Sequence, residues 1–221
     1  PYGNPTTNES NKEREKTYKK DLISPKQQDT LFWSLYIIKY GYDEYLMIQD
    51  NYGSNVMNAK QQIMEDIQKN PNKYRHTNYK MTKSGLKELM SELITNYSKT
   101  SYNVLIALCC YYGVNIYLVN KERKTFLEFI SNNTAPSYFL YKDKFGKYML
   151  DLNIKTEQDV SNLKREMVLL EHYLKPIKAC SHYKVQEIEE IAARLGIVDI
   201  TRKYKKNELH QLVSTYLTDS L

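Results

Sequence analysis

The chain contains little cysteine, histidine, glycine and proline, and these shortages limit the chemistry and the architecture open to it. Its 221 residues include three cysteines, four histidines, seven glycines and six prolines. Cys109, Cys110 and Cys180 provide neither an even set of disulfide partners nor the spacing of a zinc site. We therefore expect a reducing compartment, and we expect neither a bound metal nor a cofactor.

Long apolar runs are absent as well. A membrane-spanning helix needs about 20 consecutive apolar residues, and no run in the sequence approaches that length. The first residues also lack the apolar region of a secretory signal peptide. We expect no membrane span. Because the sequence begins with Pro1 and not with methionine, we also expect it to be a fragment or a processed product.

Tyrosine, by contrast, is abundant. There are 21 tyrosines, and some of them should lie in the core and at interfaces, because a tyrosine buries its ring while its hydroxyl stays hydrated. The net charge is +6, from 32 basic and 26 acidic residues, and no long basic block occurs. This balance permits a nucleic-acid partner but does not require one. The length fits one domain of common size with a small appendage.

The hydrophobic periodicity divides the chain into helical segments that are followed by strands. Residues 1–25 are polar, and we expect them to form a flexible lead-in. From Val114 to Leu152 the pattern alternates as in short strands, directly after a helix stop at Gly113. This order predicts a domain at residues 26–154 with an α+β fold, in which a helical front half precedes a small antiparallel sheet. The predicted helical segments are residues 30–40, 57–69, 82–95 and 101–112.

The last third of the chain is predicted to form two smaller units. Residues 155–180 are predicted as a linking helix, in which a polar helical pattern starts at Thr156 and leads to Pro176. Residues 181–221 contain two short amphipathic helices on either side of a basic stretch, and Gly196 ends the first helix. Such a unit is close to the smallest size that folds, so we expect it to lean on a neighbouring part of the protein.

The run from Gln27 to Ile38 joins polar side chains to an apolar helix. Gln28 stands six residues before Ser34, a small hydroxyl residue within this helix. The run resembles the start of papain-like cysteine peptidases, in which an oxyanion-hole amide precedes a nucleophile at a helix N-terminus. The helix before Gly113, the strand after it and the final hairpin resemble the second half of ovarian-tumour-type (OTU-like) peptidases.

This resemblance implies a papain-like fold with four site positions. Ser34 would occupy the nucleophile position and Gln28 the oxyanion position, while Lys147, before Tyr148, would stand in place of the family's histidine. Asp151 would orient that residue. The thiol and the imidazole are both missing, and a serine without a general base is not activated. We therefore expect these positions to be vestigial and the chain to have no peptidase activity.

Two other interpretations of the same run remain open. In the first, α-helical packing alone explains it: Ser34 is a small buried residue, and Asp29 and Thr30 cap the helix. In the second, the chain is an OTU-like cysteine protease or deubiquitinase in which Ser34 replaces the cysteine of the active enzyme. The second interpretation does not explain why the histidine is missing as well.

The segment from Tyr183 to Val213 resembles SAP-like and Rho-N-like modules, which consist of a helix, an extended stretch and a second helix. The resemblance implies binding of DNA or RNA, because basic residues near one edge can neutralise phosphates. The alternative is that the basic stretch is solvated and that the two helices dock on the main domain. The implied nucleic-acid-binding residues are Lys184, Arg202, Lys203, Lys205 and Lys206.

Together, the papain-like opening and the SAP-like C-terminus resemble a group of proteins from nucleocytoplasmic large DNA viruses. This resemblance implies a catalytically degenerate protein that acts as a structural or assembly component of a virion or viral complex. Its partners would be other proteins of the same assembly, in the host cytoplasm, the viral factory or the virion. An accessory factor that binds nucleic acid through the C-terminal module is the alternative.

Overall fold

The computed structural model describes residues 22–95, 99–198 and 204–219, and it confirms the predicted α+β class. The helices come first and most of the sheet follows them. The helices are α1 (Thr30–Tyr40), α2 (Tyr42–Met47), α3 (Tyr52–Lys69), α4 (Pro71–Arg75), α5 (Lys83–Thr95), α6 (Tyr102–Tyr112), α7 (Glu157–Glu166), α8 (Val185–Leu195) and α9 (Lys206–Thr218). The strands are β1 (Leu22–Ile23), β2 (Asn115–Asn120), β3 (Thr125–Phe129), β4 (Ser137–Lys142), β5 (Tyr148–Asp151) and β6 (Val168–Leu169).

Within the described residues, the sheet has six strands in the order β1-β5-β4-β2-β3-β6, and it is mixed, not antiparallel as predicted. Strand β4 runs parallel to β2 and β6 runs parallel to β3, while the other neighbours are antiparallel. The connection at residues 130–136 explains the parallel pair, because it returns the chain past β2 before β4 begins. Alternation in a sequence identifies a strand, but it does not identify the neighbour with which that strand pairs.

The predicted change from helix to strand at Gly113 is confirmed. The hydroxyl of Ser101 accepts a hydrogen bond from the Val104 amide at 3.2 Å and begins α6. Gly113 has φ = +68°, a left-handed conformation that glycine adopts without strain, and it ends the helix. Because every residue of α6 from Val104 to Cys110 is buried, this helix forms the centre of the core.

Helix α1 is buried on most sides because it packs against α2, α6 and β5. Its Trp33 side chain is only 2% exposed. The Trp33 ring lies 5.1 to 5.8 Å from the ring centres of four aromatic neighbours, which are Phe32, Tyr36, Tyr45 and Tyr52. Edge-on and tilted aromatic pairs at such distances stabilise a core beyond the effect of burial alone. This cluster holds the start of α1 in place.

The C-terminal part joins the main domain through both the sheet and the core. Residues 155–180, which were predicted as a linking helix, form α7 and also β6, an edge strand that pairs with β3. Helices α8 and α9 pack against each other, and their buried residues belong to the same hydrophobic cluster as α1 and α6. The two-helix unit therefore shares a hydrophobic core with the main domain, as its small size led us to expect. The buried residues are Ile188, Ala192, Leu195, Leu209, Val213 and Leu217.

Three further expectations concern the N-terminal lead-in, a membrane span and a metal site. The predicted lead-in at residues 1–25 falls outside the described residues as far as residue 21. Across the described ranges, no helix combines the length and the apolar character that crossing a membrane requires. In the same ranges, no group of three or more histidine, cysteine or acidic side chains is placed to hold a metal ion.

Candidate functional site

The N-terminus of α1 is fixed by Asp29. One carboxylate oxygen of Asp29 accepts a hydrogen bond from the Phe32 amide at 3.2 Å and so caps the helix. The other oxygen accepts hydrogen bonds from the amide and the hydroxyl of Thr100, both at 2.8 Å. Since Thr100 directly precedes α6, this single carboxylate joins the starts of two core helices.

Thr30 is the first residue of α1, and it ties this helix to the sheet. Its Oγ1 atom accepts a hydrogen bond from the Tyr148 amide at 2.9 Å, in a buried environment. Leaving that amide without an acceptor would cost about 1–3 kcal/mol. Thr30 therefore occupies the helix N-terminus, which is the place where the sequence comparison expected a nucleophile.

Ser34 lies one turn further into α1, and its side chain is 0% exposed. Its hydroxyl has no hydrogen-bond partner among the described residues. A substrate cannot reach a side chain that is enclosed in this way, so Ser34 does not stand where a nucleophile must stand. Its environment is that of a small packing residue, as the first alternative interpretation proposed.

Gln28, the residue predicted at the oxyanion position, has a side chain that is exposed to solvent. The Gln28 carbonyl accepts a hydrogen bond from the Thr30 amide at 3.1 Å. It is the preceding residue, Gln27, that makes a side-chain contact, because its carbonyl oxygen accepts a hydrogen bond from the Tyr45 hydroxyl at 2.7 Å. The hydrogen bond between Tyr45 and Gln27 thus helps to fix the segment that leads into α1.

The structure gives Lys147 and Asp151 separate partners. Lys147 is exposed in the turn between β4 and β5, and its backbone amide donates to the carboxylate of Asp143 at 2.8 Å. The carboxylate of Asp151 forms an ion pair with Lys155 at 2.5 Å and accepts hydrogen bonds from Asn153. Asp151 therefore does not orient Lys147. No hydrogen bond or ion pair within the described residues joins either of them to Ser34 or Gln28.

Two of the thiols are buried in the core helix α6, and the imidazole of His172 packs against a neighbouring aromatic ring. Cys109 and Cys110 are buried in α6, where burial raises the pKa of both thiols, that of Cys110 to about 12. Such thiols stay protonated and are poor nucleophiles. His172 packs against Tyr173 with their ring centres 4.1 Å apart, and its Nδ1 atom accepts a hydrogen bond from the Leu174 amide.

A cleft of about 600 Å³ opens beside the start of α1. We call it the tyrosine cleft because Tyr102, Tyr148 and Tyr173 form much of its wall. Of the described residues that line it, none is a cysteine or a histidine. The lining residues come from α1, α5, α6, the segment before α6, the β4–β5 hairpin and the segment after β6. They are Leu31, Glu92, Lys99, Thr100, Ser101, Tyr102, Asn103, Lys142, Gly146, Tyr148, Tyr173 and Leu174.

The polar groups of the tyrosine cleft include hydroxyls, two ammonium groups, the amide of Asn103 and the carboxylate of Glu92. The hydroxyls of Tyr102 and Tyr148 lie 3.4 Å apart, and the Tyr173 hydroxyl donates to the side chain of Asn103 at 2.5 Å. Burial raises the pKa of Tyr148 well above its usual value, so this phenol stays neutral. Burial also lowers the pKa of Lys142, and repulsion by Lys99 and Arg123 lowers it further. Burial therefore disfavours charge in this part of the cleft, and the neighbouring cations disfavour additional positive charge in particular.

A buried lysine that was not among the residues predicted from the sequence lies near the same helix starts. Lys60 on α3 is only 4% exposed. Burial lowers its pKa, whereas the carboxylates of Asp29 and Glu92 raise it. Glu92 is also the acidic residue in the lining of the tyrosine cleft. Lys60 stands three and seven residues before Ile63 and Ile67, on the buried face of α3, so helical spacing is the signal that could have identified it.

Three of the five basic residues predicted to bind nucleic acid, Lys184, Lys205 and Lys206, lie at the starts of α8 and α9. Lys184 and Lys205 are exposed and Lys206 is half-buried. Their surroundings are partly acidic, since the Lys184 amide donates to the carboxylate of Glu187 at 2.6 Å. Arg202 and Lys203 lie outside the described residues. Nucleic-acid binding by this unit remains a prediction.

Comparison with known proteins adds no relative. The chain matches no protein-family model, no curated protein and no solved structure. The resemblances to papain-like peptidases, to SAP-like modules and to proteins of large DNA viruses therefore remain predictions from the sequence.

Proposed function

We propose that this chain is a non-catalytic binding protein whose tyrosine cleft holds an extended, acidic segment of a partner protein. The observation that carries the proposal is the lining of the cleft, which has three tyrosines and two lysines but, among the described residues, no thiol and no imidazole. Such a wall can bind a peptide, but it lacks the groups that papain-type hydrolysis requires.

The chemistry of the wall supports a peptide as the ligand. Tyrosine rings provide apolar contact area at a small entropic cost, and their hydroxyls can bond to peptide amides and carbonyls. Tyrosine is accordingly common where proteins bind one another. The volume of the cleft, about 600 Å³, accommodates a few extended residues.

The charge of the wall supports an acidic partner. Lys99 and Lys142 are close enough for Lys99 to lower the pKa of Lys142, and Arg123 acts in the same direction. A carboxylate that enters beside them relieves this repulsion, whereas a cationic side chain increases it. Glu92 lines the cleft as well and gives a peptide amide or hydroxyl an acceptor.

The proposed role agrees with the expectation of a structural or assembly component drawn from the sequence. In that role the ligand segment would belong to another protein of the same assembly. The viral setting and the compartment rest on the sequence resemblance alone. Nothing in the geometry favours nucleic acid as the main partner, and we keep that function as a prediction.

The first test concerns catalysis. We expect that a ubiquitin-based or peptide-based probe that captures a nucleophilic thiol labels neither the natural chain nor a Ser34→Cys variant. The reason is that a buried thiol stays protonated and cannot be reached. Labelling is read by gel shift and mass spectrometry, with an active cysteine peptidase as the positive control. Phe145→Cys, at an exposed position, measures non-specific alkylation.

Two results of that test would change the conclusion. Labelling of the natural chain would overturn the non-catalytic assignment. Labelling of Ser34→Cys above the level of Phe145→Cys would support the alternative that the chain derives from an active protease.

The second test concerns binding. We expect that a display library of random linear peptides, selected against the intact chain, yields peptides rich in Asp and Glu. Their dissociation constants, measured by fluorescence anisotropy, should rise at least about tenfold in a Lys142→Glu variant, since a tenfold change needs only about 1.4 kcal/mol. Lys144→Glu is the matched control, because Lys144 lies in the same hairpin but does not line the cleft.

Two outcomes of the binding test would contradict the proposal. If no acidic peptide is enriched, or if the selected peptides bind Lys142→Glu and Lys144→Glu equally well, the tyrosine cleft is not the peptide site. Circular dichroism and urea unfolding of both variants show whether a loss of binding follows from a loss of fold.

A further inference from the structure

A second, separate cavity of about 460 Å³ lies at the start of α5. We define the 75–83 loop as the segment that leads from the end of α4 into this helix. The described residues that line the cavity are mostly basic, and none of them is acidic. They are Arg75, His76, Thr77, Lys80, Met81, Thr82 and Lys83.

The backbone adds positive potential to the same place. Helix α5 has 13 residues, and its first-turn amides have no partners within the helix, so they attract anions. The Thr82 hydroxyl accepts a hydrogen bond from the Gly85 amide at 3.0 Å and leaves the earlier amides at the open end. Lys83 is the first residue of the helix and lines the cavity itself.

Two polar side chains in the cavity wall lack hydrogen-bond partners. Thr77 is only 6% exposed, and within the described residues its hydroxyl has no partner. The Nε atom of Arg75 is likewise buried without an acceptor in those residues. Buried polar groups are almost always satisfied, and each exception needs an explanation. An anion in the cavity would give both groups a partner.

The loop is held rigidly enough to form such a site. The side chain of Asn78 donates to the Glu128 carbonyl at 2.8 Å and accepts from the Ile130 amide at 3.0 Å, which attaches the loop to β3. Tyr79 packs against Phe129 with their ring centres 5.2 Å apart. The nearby carboxylate of Glu128 is paired with Lys164 at 3.0 Å and so does not neutralise the loop.

The backbone of Lys80 adopts an uncommon conformation within the 75–83 loop. Its φ is +45°, in the left-handed region where residues other than glycine, asparagine and aspartate are uncommon. Its amide donates to the Thr77 carbonyl at 3.1 Å and closes a turn. A lysine in this conformation carries a conformational cost, and unusual backbone geometry of this kind clusters at functional sites.

From these observations we propose that the 75–83 loop and the start of α5 bind the phosphate group of a small ligand, either pyrophosphate itself or the diphosphate of a nucleotide. The cations line one cavity instead of forming a stripe. The next turn of α5 carries Glu88 beside Lys87, so the positive charge does not continue along the helix as contact with a nucleic-acid backbone would require. The geometry therefore favours a small phosphorylated ligand over DNA or RNA.

The test is a calorimetric titration of the intact chain with pyrophosphate, adenosine diphosphate and a single-stranded oligonucleotide. We expect binding of pyrophosphate that weakens with added salt. Lys83→Gln should weaken it about tenfold or more, because it removes a cation next to the helix N-terminus. Lys87→Gln, one turn further along α5 and outside the cavity lining, should leave the affinity within a factor of two.

Thr77→Val distinguishes a binding role from a structural one. Within the described part of the chain the Thr77 hydroxyl has no hydrogen-bond partner, so its removal should leave the urea midpoint unchanged or raise it. The same change should weaken pyrophosphate binding severalfold, because the anion loses a donor. Tighter binding of adenosine diphosphate than of pyrophosphate would identify a nucleotide as the ligand.

Three results would overturn the proposal. The first is no binding of pyrophosphate or adenosine diphosphate at millimolar concentration. The second is an equal loss of affinity in Lys83→Gln and Lys87→Gln, which would indicate a general charge effect. The third is that the oligonucleotide binds more tightly than either small ligand and loses affinity in the same variants, which would assign the site to nucleic acid.

Discussion

Replacing Asp29 by Asn should lower the free energy of unfolding by about 3–5 kcal/mol, because it removes a charged acceptor from a crowded junction. The carboxylate of Asp29 accepts hydrogen bonds from the Phe32 amide and from the amide and hydroxyl of Thr100. An amide group offers one oxygen in place of two and points N–H groups at donors. It also removes a negative charge that raises the pKa of the buried Lys60.

Urea unfolding followed by circular dichroism measures this effect. The matched control is Asp43→Asn, in which an exposed carboxylate in the first turn of α2 is neutralised. We expect that change to cost less than about 1 kcal/mol, since it weakens only a favourable interaction with the helix dipole. Equal losses in the two variants would mean that Asp29 does not hold the starts of α1 and α6 together. A smaller slope against urea would point to a change in the unfolded state instead.

Replacing Trp33 by Ala should be at least as damaging, with an expected loss of about 3–5 kcal/mol. The indole is 2% exposed and lies among four aromatic rings, so its removal leaves a large cavity beside the start of α1. A domain of ordinary stability has about 5–15 kcal/mol in total. We therefore expect a large fall in the thermal midpoint, and partial unfolding at 37 °C if the natural chain is of low stability.

Two companion variants make the Trp33 experiment specific. Trp33→Phe keeps an aromatic ring in the cluster and should lose less than half as much. Phe145→Ala removes an aromatic side chain that is largely exposed in the β4–β5 turn, and its stability should change by less than about 0.5 kcal/mol. Differential scanning calorimetry compares all three. A loss in Trp33→Ala no larger than that in Phe145→Ala would contradict the placement of α1 in the core.

The stability experiments also bear on the tyrosine cleft. The starts of α1 and α6 form one side of this cleft, and Asp29 joins them. A variant that loosens this junction without unfolding the chain should weaken peptide binding through the position of Tyr102 at the start of α6. Lys142→Glu should instead weaken binding without a matching loss of stability. The two variants therefore separate the support of the cleft from its contact with a ligand.

The sequence by itself determined the α+β class, because periodicity follows local geometry. Apolar residues at a spacing of three and four predicted α6, and alternation from Val114 predicted the central strands. Gly113 was identified as the end of the helix because only glycine adopts its left-handed conformation without strain. The alternative interpretation, in which Asp29 caps a helix and Ser34 is a small buried residue, also depended on local rules, and the structure has this arrangement.

Only the tertiary structure decided which residues meet. The choice of β2 as the parallel neighbour of β4 depends on the path of a loop, which no local pattern encodes. The sequence assigned Ser34 to the nucleophile position by its distance from Gln28, but the acceptor for the Tyr148 amide is Thr30, at the true start of α1. Side chains from distant parts of the chain bury Lys60. Within the described residues, the buried Thr77 hydroxyl has no hydrogen-bond partner. Such long-range contacts create both the tyrosine cleft and the cavity of the 75–83 loop, and no short stretch of sequence contains either one.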